Sequence, residues 1–174
     1  MILNDRLIAS IKNGDLVDSS NIDICISYQK SRWDNKKYFF DEKEARRIFK
    51  FVGKLTFDKG KKGEPIQLLF FQFKVITDIL CVKRRKDNKR RFREVHINIP
   101  RKNGKSFLVA IIIAYLYFFK TEFGSEYIIS ANTTTQAGLL YNTIIHFIDN
   151  SPLKTVCKKT ESRRIVYRKD QNSY

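Results

Sequence analysis

Apolar positions fall at helical spacing in the first third of the chain and into strand, turn and helix alternation after it. Leu3, Leu7, Ile8 and Ile11 share one helix face, and beyond a break at Asn13-Gly14 the set Ile22, Ile26 and Gln29 keeps rough register from about Val17. Both stretches predict short helices that pair as a hairpin. Nothing in them marks a DNA recognition helix, so they read as a docking appendage. Residues 31–40 are polar and aromatic, include Trp33, and predict a loop tucked against the body. Asp41-Glu42-Lys43-Glu44 then opens a helix: Asp41 is placed to accept from first-turn amides, Glu44 follows three residues on, and Ala45, Ile48, Phe49 and Val52 form the buried stripe. Gly53 ends it.

Residues 58–65 are turn-rich and basic and predict a linker or surface loop. Ile66-Gln67-Leu68-Leu69-Phe70-Phe71-Gln72 leads into a helix carrying Phe73, Ile76, Ile79 and Leu80. Residues 95–100 form a short apolar strand that runs into Gly104-Lys105-Ser106. Residues 107–119 follow as a helix buried nearly all round, polar only through Tyr115 and Tyr117. Residues 126–131 lack strict alternation, as expected of a strand covered on both faces of a parallel sheet. Thr133 and Gln136 stand at capping-box spacing before a helix with Leu139, Leu140, Ile144, Phe147 and Ile148 on its core face. Beyond Ser151-Pro152, Leu153 and Val156 precede a short strand over 164–168. The βαβα run predicts an α/β fold of the P-loop type, a three-layer sandwich with a mainly parallel sheet and right-handed crossovers, behind a small helical region.

The strand, Gly-Lys-Ser and apolar helix together are the layout of a phosphate-binding loop. Backbone N–H groups in such a turn point at phosphate oxygens, and the helix adds the positive end of its dipole. Lys105 is placed to reach the β- and γ-phosphates of ATP and Ser106 to ligate Mg²⁺, while Gly104 lets the backbone approach the phosphates. The general pattern asks for a glycine five positions before Gly104, where this chain has Ile99, followed by Pro100. Gln72 opens a helix upstream of the loop, where a side-chain amide supplies the donor and acceptor that match the N6 amine and N7 of adenine.

The charge is unusual: 34 Lys and Arg stand against 18 Asp and Glu, a net +16 over 174 residues, which points to a polyanionic partner. The densest run covers 83–93, between a helix and the loop strand. Lys83, Arg84, Arg85, Arg90 and Arg91 are its candidate nucleic-acid contacts, with a solvated hairpin tip as the other reading. Cys25, Cys81 and Cys157 are odd in number and far apart, which argues for reduced thiols rather than a disulfide framework or zinc site. His96 and His146 have no second ligand nearby in sequence and read as packing residues. No secretory leader is visible at Met1, and residues 107–119 are too few to span a bilayer, so no membrane partner is expected.

Several ordered segments carry a family resemblance. They are Gln72, the loop Arg101-Lys102-Asn103-Gly104-Lys105-Ser106, the junction from Ile129-Ser130-Ala131-Asn132-Thr133 to Gln136-Ala137, and the turn Asn150-Ser151-Pro152-Leu153. Together they resemble the amino-terminal ATPase part of the large terminase subunit of tailed bacteriophages. The preamble, a capped helix ahead of Gly63-Glu64-Pro65-Ile66-Gln67-Leu68, is similar too. The resemblance implies a motor that uses ATP and Mg²⁺ to drive double-stranded DNA into a capsid, with a separate carboxy-terminal nuclease that cuts concatemers. It implies Gln72, Arg101, Lys102, Asn103, Gly104, Lys105 and Ser106 as nucleotide contacts, and Arg101 as the catalytic cation on the γ-phosphate. The implied partners are the portal, the small terminase subunit and a homo-oligomeric ring in the cytoplasm of a bacterial host.

Departures from the family pattern bear on activity. No apolar run ending in Asp-Glu follows Ser106, Asp149 and Asp170 are isolated, and no carboxylate cluster for a two-metal nuclease is present. The expectation is an incomplete domain, a helical region over 1–57 and a partial ATPase core over 58–174, that binds nucleotide without useful hydrolysis. Two other classes remain open. One is a superfamily-2-like helicase or DNA-dependent ATPase fragment, for which an adenine-contacting Gln also suits. The other is a non-enzymatic basic nucleic-acid-binding remnant.

Overall fold

Asp18 turns the chain into the first helix among the described residues. Its Oδ1 accepts from the backbone N–H of Ser20 at 2.8 Å and of Asn21 at 3.2 Å, and Asn21 Oδ1 accepts from the Asp18 N–H at 3.0 Å. The turn thus satisfies the amides just ahead of the helix, and Asp18 O accepts from the Ile22 N–H at 3.0 Å. The Ser20 hydroxyl bond is the main reason that the Asp18 carboxyl lies below its ordinary range. Helix α1 follows at Ile22–Trp33 and buries Ile22, Cys25, Ile26 and Gln29. Residues 31–33, expected as loop, complete its last turn.

The computed structural model describes residues 12, 14–58, 60, 62–100, 102–120, 125–159 and 165–167. The helix expected over residues 3–11 lies outside these. The chain divides into two compact units, Met1–Val52 with Gln67–Asn98, and Gly53–Ile66 with Ile99–Tyr174. Among the described residues no helix is long and apolar enough to cross a membrane.

The first unit holds α1, strand β1 (Tyr38–Phe40), helix α2 (Glu42–Val52), helix α3 (Phe70–Cys81) and strand β2 (Val82–Arg84). β1 and β2 pair antiparallel, with Tyr38 opposite Arg84 and Phe40 opposite Val82. Asp41 caps α2 as its sequence predicts: Oδ1 accepts from the Glu44 N–H at 3.0 Å. Its Oδ2 meets Lys83 Nζ at 2.5 Å in a mostly buried pair that ties the helix start to β2. Ala45, Ile48, Phe51 and Val52 are buried, whereas Phe49 is only half-covered, so Phe51 takes the place expected for it in the core. Between α1 and α3 runs a polar seam. Asp78 Oδ1 accepts from Gln29 Nε2 at 2.7 Å and Trp33 Nε1 at 2.6 Å, and Arg32 pairs with Oδ2 at 3.2 Å. Gln29 is fully buried, and its amide also donates to the Thr77 hydroxyl at 2.8 Å, so the buried polar atoms are satisfied.

In the second unit, the stretch between Leu55 and Ile66 closes into a surface loop, one of the two readings of residues 58–65, with Gly60, Lys62, Gly63 and Glu64 exposed. The Ile66 N–H donates to Leu55 O at 2.9 Å, and Phe57 and Glu64 are joined by an N–H to C=O bond of 3.0 Å. Helix α4 (Lys105–Phe119) and helix α5 (Thr134–Asp149) pack side by side, followed by a 3-10 turn (Pro152–Val156) and an antiparallel pair, β3 (Cys157–Lys159) with β4 (Ile165–Tyr167). Thr133 caps α5 through a 3.2 Å bond from the Gln136 N–H. Tyr115, expected on a polar face, is fully buried, while Leu139, expected in the core, is 53% exposed.

The expected parallel sheet is not formed among the described residues. Residues 95–100 and 125–131 run without a ladder, and every paired strand is antiparallel. Val95 is 44% and Ile128 84% exposed. Their Val, Ile and Tyr content carries strand propensity, yet a strand buried on both faces is held by neighbours on its edges, and no described segment supplies one. Tyr127 still anchors the second stretch on α4, donating its hydroxyl to Leu116 O at 3.2 Å.

Two outcomes follow for stability. Asp41→Ala removes a helix cap and strands the Lys83 ammonium, and should lower unfolding free energy by about 2–3 kcal/mol in urea titration. Burial pushes the Cys25 thiol from 9.0 up to about 11. A raised folded value means that its contribution is complete below pH 9 and is lost as pH rises toward 11. Cys25→Ala should therefore show a shallower fall of the urea midpoint across that window than the parent chain.

Candidate functional site

Phe107 fixes the point where the glycine turn becomes helix. Its ring stacks on Phe57 with centroids 5.3 Å apart and planes at 12°, and meets Phe147 edge-on at 5.9 Å. The loop that carries Phe57 is itself pinned to α5. Asp58 Oδ2 accepts from the Thr143 hydroxyl at 3.1 Å, and the Thr56 hydroxyl lies 3.2 Å from His146 Nε2. Asn150 Nδ2 lies 3.2 Å from His146 Nδ1. An amide N is a donor only, so Nδ1 accepts and the ring proton sits on Nε2, facing Thr56. His146 is thus a structural bridge, as its isolation in sequence indicates.

Behind Phe107, Leu108, Ala110 and Ile111 are fully buried, while Lys105 and Ser106 in the first helical turn stay exposed. The turn before them bends through two left-handed positions, Lys102 at φ +70° and Gly104 at φ +72°. Glycine adopts this region freely; a lysine does so at a cost of about 1 kcal/mol or more, so the turn is a held conformation. No side chain caps α4. The first N–H to bond back is that of Leu108, to Gly104 O at 2.8 Å, which leaves the amides of Lys105, Ser106 and Phe107 directed out of the helix start. Outward amides at the positive dipole end are the features that an anion-binding helix terminus needs.

The residues expected to hold phosphate are therefore gathered in part. Lys102, Asn103, Gly104, Lys105 and Ser106 lie on this one turn. Arg101 lies outside the described residues. Gln72 belongs to the other unit, where its Oε1 accepts from the Leu69 N–H at 3.0 Å and caps the start of α3. Among the described residues no group of His, Cys, Asp and Glu is arranged to hold a metal ion. The available donor for Mg²⁺ is the Ser106 hydroxyl, which suits a cation that keeps most of its shell as water and phosphate oxygens.

The basic run splits by environment. Lys83 is paired with Asp41, and Arg84 with Asp87 at 2.7 Å. Arg85 donates Nε–H to Asn35 O at 2.8 Å and lies 5.6 Å from the Phe39 ring centroid. The Arg91 guanidinium sits over Tyr38, Trp33 and Phe92 at 4.3, 4.7 and 4.9 Å. Arg90 is exposed. The sequence treats these cations alike; only the aromatic content of residues 31–40 hinted that some would be stacked. His96 lines a groove of about 390 Å³ with Asp78, Glu94 and Asn98 in the first unit.

A glycine turn feeding an apolar helix with Lys-Ser in its first turn belongs with nucleotide-binding α/β proteins. Residues 71–172, more than half of the chain, match the family described as terminase large subunit, ATPase domain, and the chain belongs to that family. Membership makes it part of a packaging-motor ATPase and implies use of a nucleotide. No curated protein and no solved structure gives a match.

The turn gives a discriminating pair of variants. Gly104→Ala should cost about 1–2 kcal/mol of stability, because its backbone is left-handed. Lys105→Ala, at an exposed position, should leave the urea unfolding curve within about 0.5 kcal/mol of the parent.

Proposed function

We propose that this chain is the nucleotide-binding amino-terminal part of a viral DNA-packaging motor, whose parent couples ATP hydrolysis to DNA translocation into a procapsid and cuts concatemeric DNA. The observation that carries the reading is the left-handed turn at Lys102 and Gly104, opening an uncapped helix with Lys105 and Ser106 exposed in its first turn. Lys105 binds the β- and γ-phosphates, the amides of its turn hold the same oxygens, Lys102 and Asn103 line the loop, and the Ser106 hydroxyl meets Mg²⁺. The metal supplies charge neutralisation between the phosphates when bound. Arg101 is the cation assigned to the γ-phosphate and Gln72 the contact to adenine.

In this reading residues 1–57 act as a helical appendage and 58–174 as ATPase core. In the full-length parent, residues 95–100 and 126–131 become strands of a parallel three-layer sheet, a reading supported by their β-branched content. Double-stranded DNA, the portal, a small terminase subunit and a homo-oligomeric ring are the partners, in the cytoplasm of a bacterial host. The DNA contacts come from the basic run over residues 83–93, through the cations that acids and rings leave exposed, supported by the +16 net charge. Residues 1–174 bind nucleotide without turning it over, since no acidic pair follows an apolar run after Ser106 to hold the Mg²⁺ shell and activate water.

Titration with a fluorescent ATP analogue and Mg²⁺ tests this directly. The parent chain should bind, Lys105→Ala should weaken binding by about tenfold or more, the loss expected for a charge-assisted phosphate contact, and phosphate release should stay at the background rate. DNA binding that is indifferent to nucleotide, with no analogue binding at all, would favour a basic module instead.

A further inference from the structure

The fold joins two basic segments that are far apart in sequence. Antiparallel pairing of β1 with β2 sets Tyr38 opposite Arg84, so the chain entering β1 and the chain leaving β2 emerge at the same end of the ladder. The Arg85 N–H donates to Lys37 O at 3.0 Å, and Arg85 Nε–H donates to Asn35 O at 2.8 Å. Residues 85–88 then turn back, with Asn88 left-handed at φ +56°, and the Arg84 N–H donates to Lys89 O at 2.9 Å. A bridge between Lys83 and Arg90 carries the return along the other edge of β2. Lys36 and Lys37 from one segment, and Lys86, Lys89 and Arg90 from the other, are therefore presented at one end of one small sheet.

These five are exposed and form no ion pair with a carboxylate among the described residues, the charge of Lys89 acting on Asp87 only at longer range. Their neighbours are committed. Lys83 and Arg84 are ion-paired, and Arg91 is held in its aromatic clamp. The acids at this end are committed too. Asp34 Oδ1 accepts from the Phe40 N–H at 2.7 Å, and Asp87 holds Arg84. The Arg84 and Lys89 contacts keep the Asp87 carboxyl below its usual range, the Lys89 backbone bond being the largest cause. An internally braced hairpin thus carries uncompensated positive charge at its tip.

We propose that Lys36, Lys37, Lys86, Lys89 and Arg90 form one composite surface that binds the phosphate backbone of double-stranded DNA. The choice of DNA among polyanions rests on the packaging-motor reading; the surface itself rests on the hairpin geometry. Lys and Arg side chains on turns suit phosphate oxygens without reading bases, and each contact releases a condensed counterion. A membrane partner would call for apolar anchors beside the cations, and residues 85–90 contain none. Lys83 and Arg91, equal to the others in sequence, contribute by bracing the hairpin.

The test is fluorescence anisotropy of the full chain with a labelled duplex of arbitrary sequence, repeated across NaCl concentrations, with circular dichroism to confirm that each variant is folded. Lys36→Ala with Lys37→Ala should lower the slope of log K against log salt by about two, and Lys86→Ala, Lys89→Ala and Arg90→Ala together by about three, at about 0.9 per phosphate. Lys43→Ala with Lys50→Ala removes the same charge from exposed positions on α2 and should leave the slope unchanged, as should Lys105→Ala. The proposal fails if the Lys36 and Lys37 pair behaves like the α2 pair, or if polyglutamate displaces the duplex at equal charge concentration. Analogue binding at Lys105 is measured separately: slopes unchanged in the Lys36, Lys37, Lys86, Lys89 and Arg90 variants of a chain that binds nucleotide refute this surface alone, and the expected slope losses in a chain that binds no nucleotide refute the nucleotide reading alone.

Discussion

Helix α4 is apolar on nearly every side, and its need to be covered organises the second unit. A helix with Leu108, Ala110, Ile111, Ala114 and Tyr115 fully buried is stable only when other elements enclose it. Helix α5 supplies part of that cover, and the closed loop over 53–66 supplies part through the stack of Phe57 on Phe107. That stack sits one residue beyond Ser106. Burial therefore holds the helix start firmly while its first turn remains open to solvent, the arrangement an anion-binding terminus requires. The strained Lys102 position is tolerable because the helix behind it is so thoroughly fixed.

The first unit answers a different constraint, a large excess of positive charge. Its carboxylates are used sparingly and at structural points: Asp41 at the start of α2 and on Lys83, Asp78 between α1 and α3, Asp87 inside the hairpin. Aromatic rings take up part of the remaining charge, with Trp33, Tyr38 and Phe92 surrounding Arg91 and Tyr28 lying 5.7 Å from the Arg32 guanidinium. Lys36, Lys37, Lys86, Lys89 and Arg90, which no ion pair or ring engages among the described residues, stand at one end of the β1–β2 ladder. Charge in this unit is thus sorted into a bracing share and an exposed share by the geometry of two short strands.

Much of the local architecture was legible in residue order. The cap of α2 at Asp41, the start of α4 after Gly104 and the cap of α5 at Thr133 rest on interactions spanning three or four residues, so neighbouring side chains suffice to specify them. Lys102 to Ser106 share one turn for the same reason. Where the reading differed, distant partners decided. Phe51 rather than Phe49 entered the core, Tyr115 was buried, and Leu139 was left out. The parallel ladder was predicted from apolar runs, but propensity names a strand and not its neighbours, and residues 95–100 and 125–131 remain unladdered.

By itself the sequence determined where helices α2 to α5 lie, the caps of α2 and α5, the glycine turn with Lys105 and Ser106 beyond it, and the surplus of 34 cationic side chains over 18 acidic ones. Tertiary structure alone decided which cations brace the fold and which face solvent, and it brought Lys36 and Lys37 to the end of the ladder where Lys86 and Lys89 stand. The physical reason is range. Caps and turns are settled by contacts a few residues apart, whereas burial, ion pairing and ring stacking depend on segments that meet only when the chain has folded.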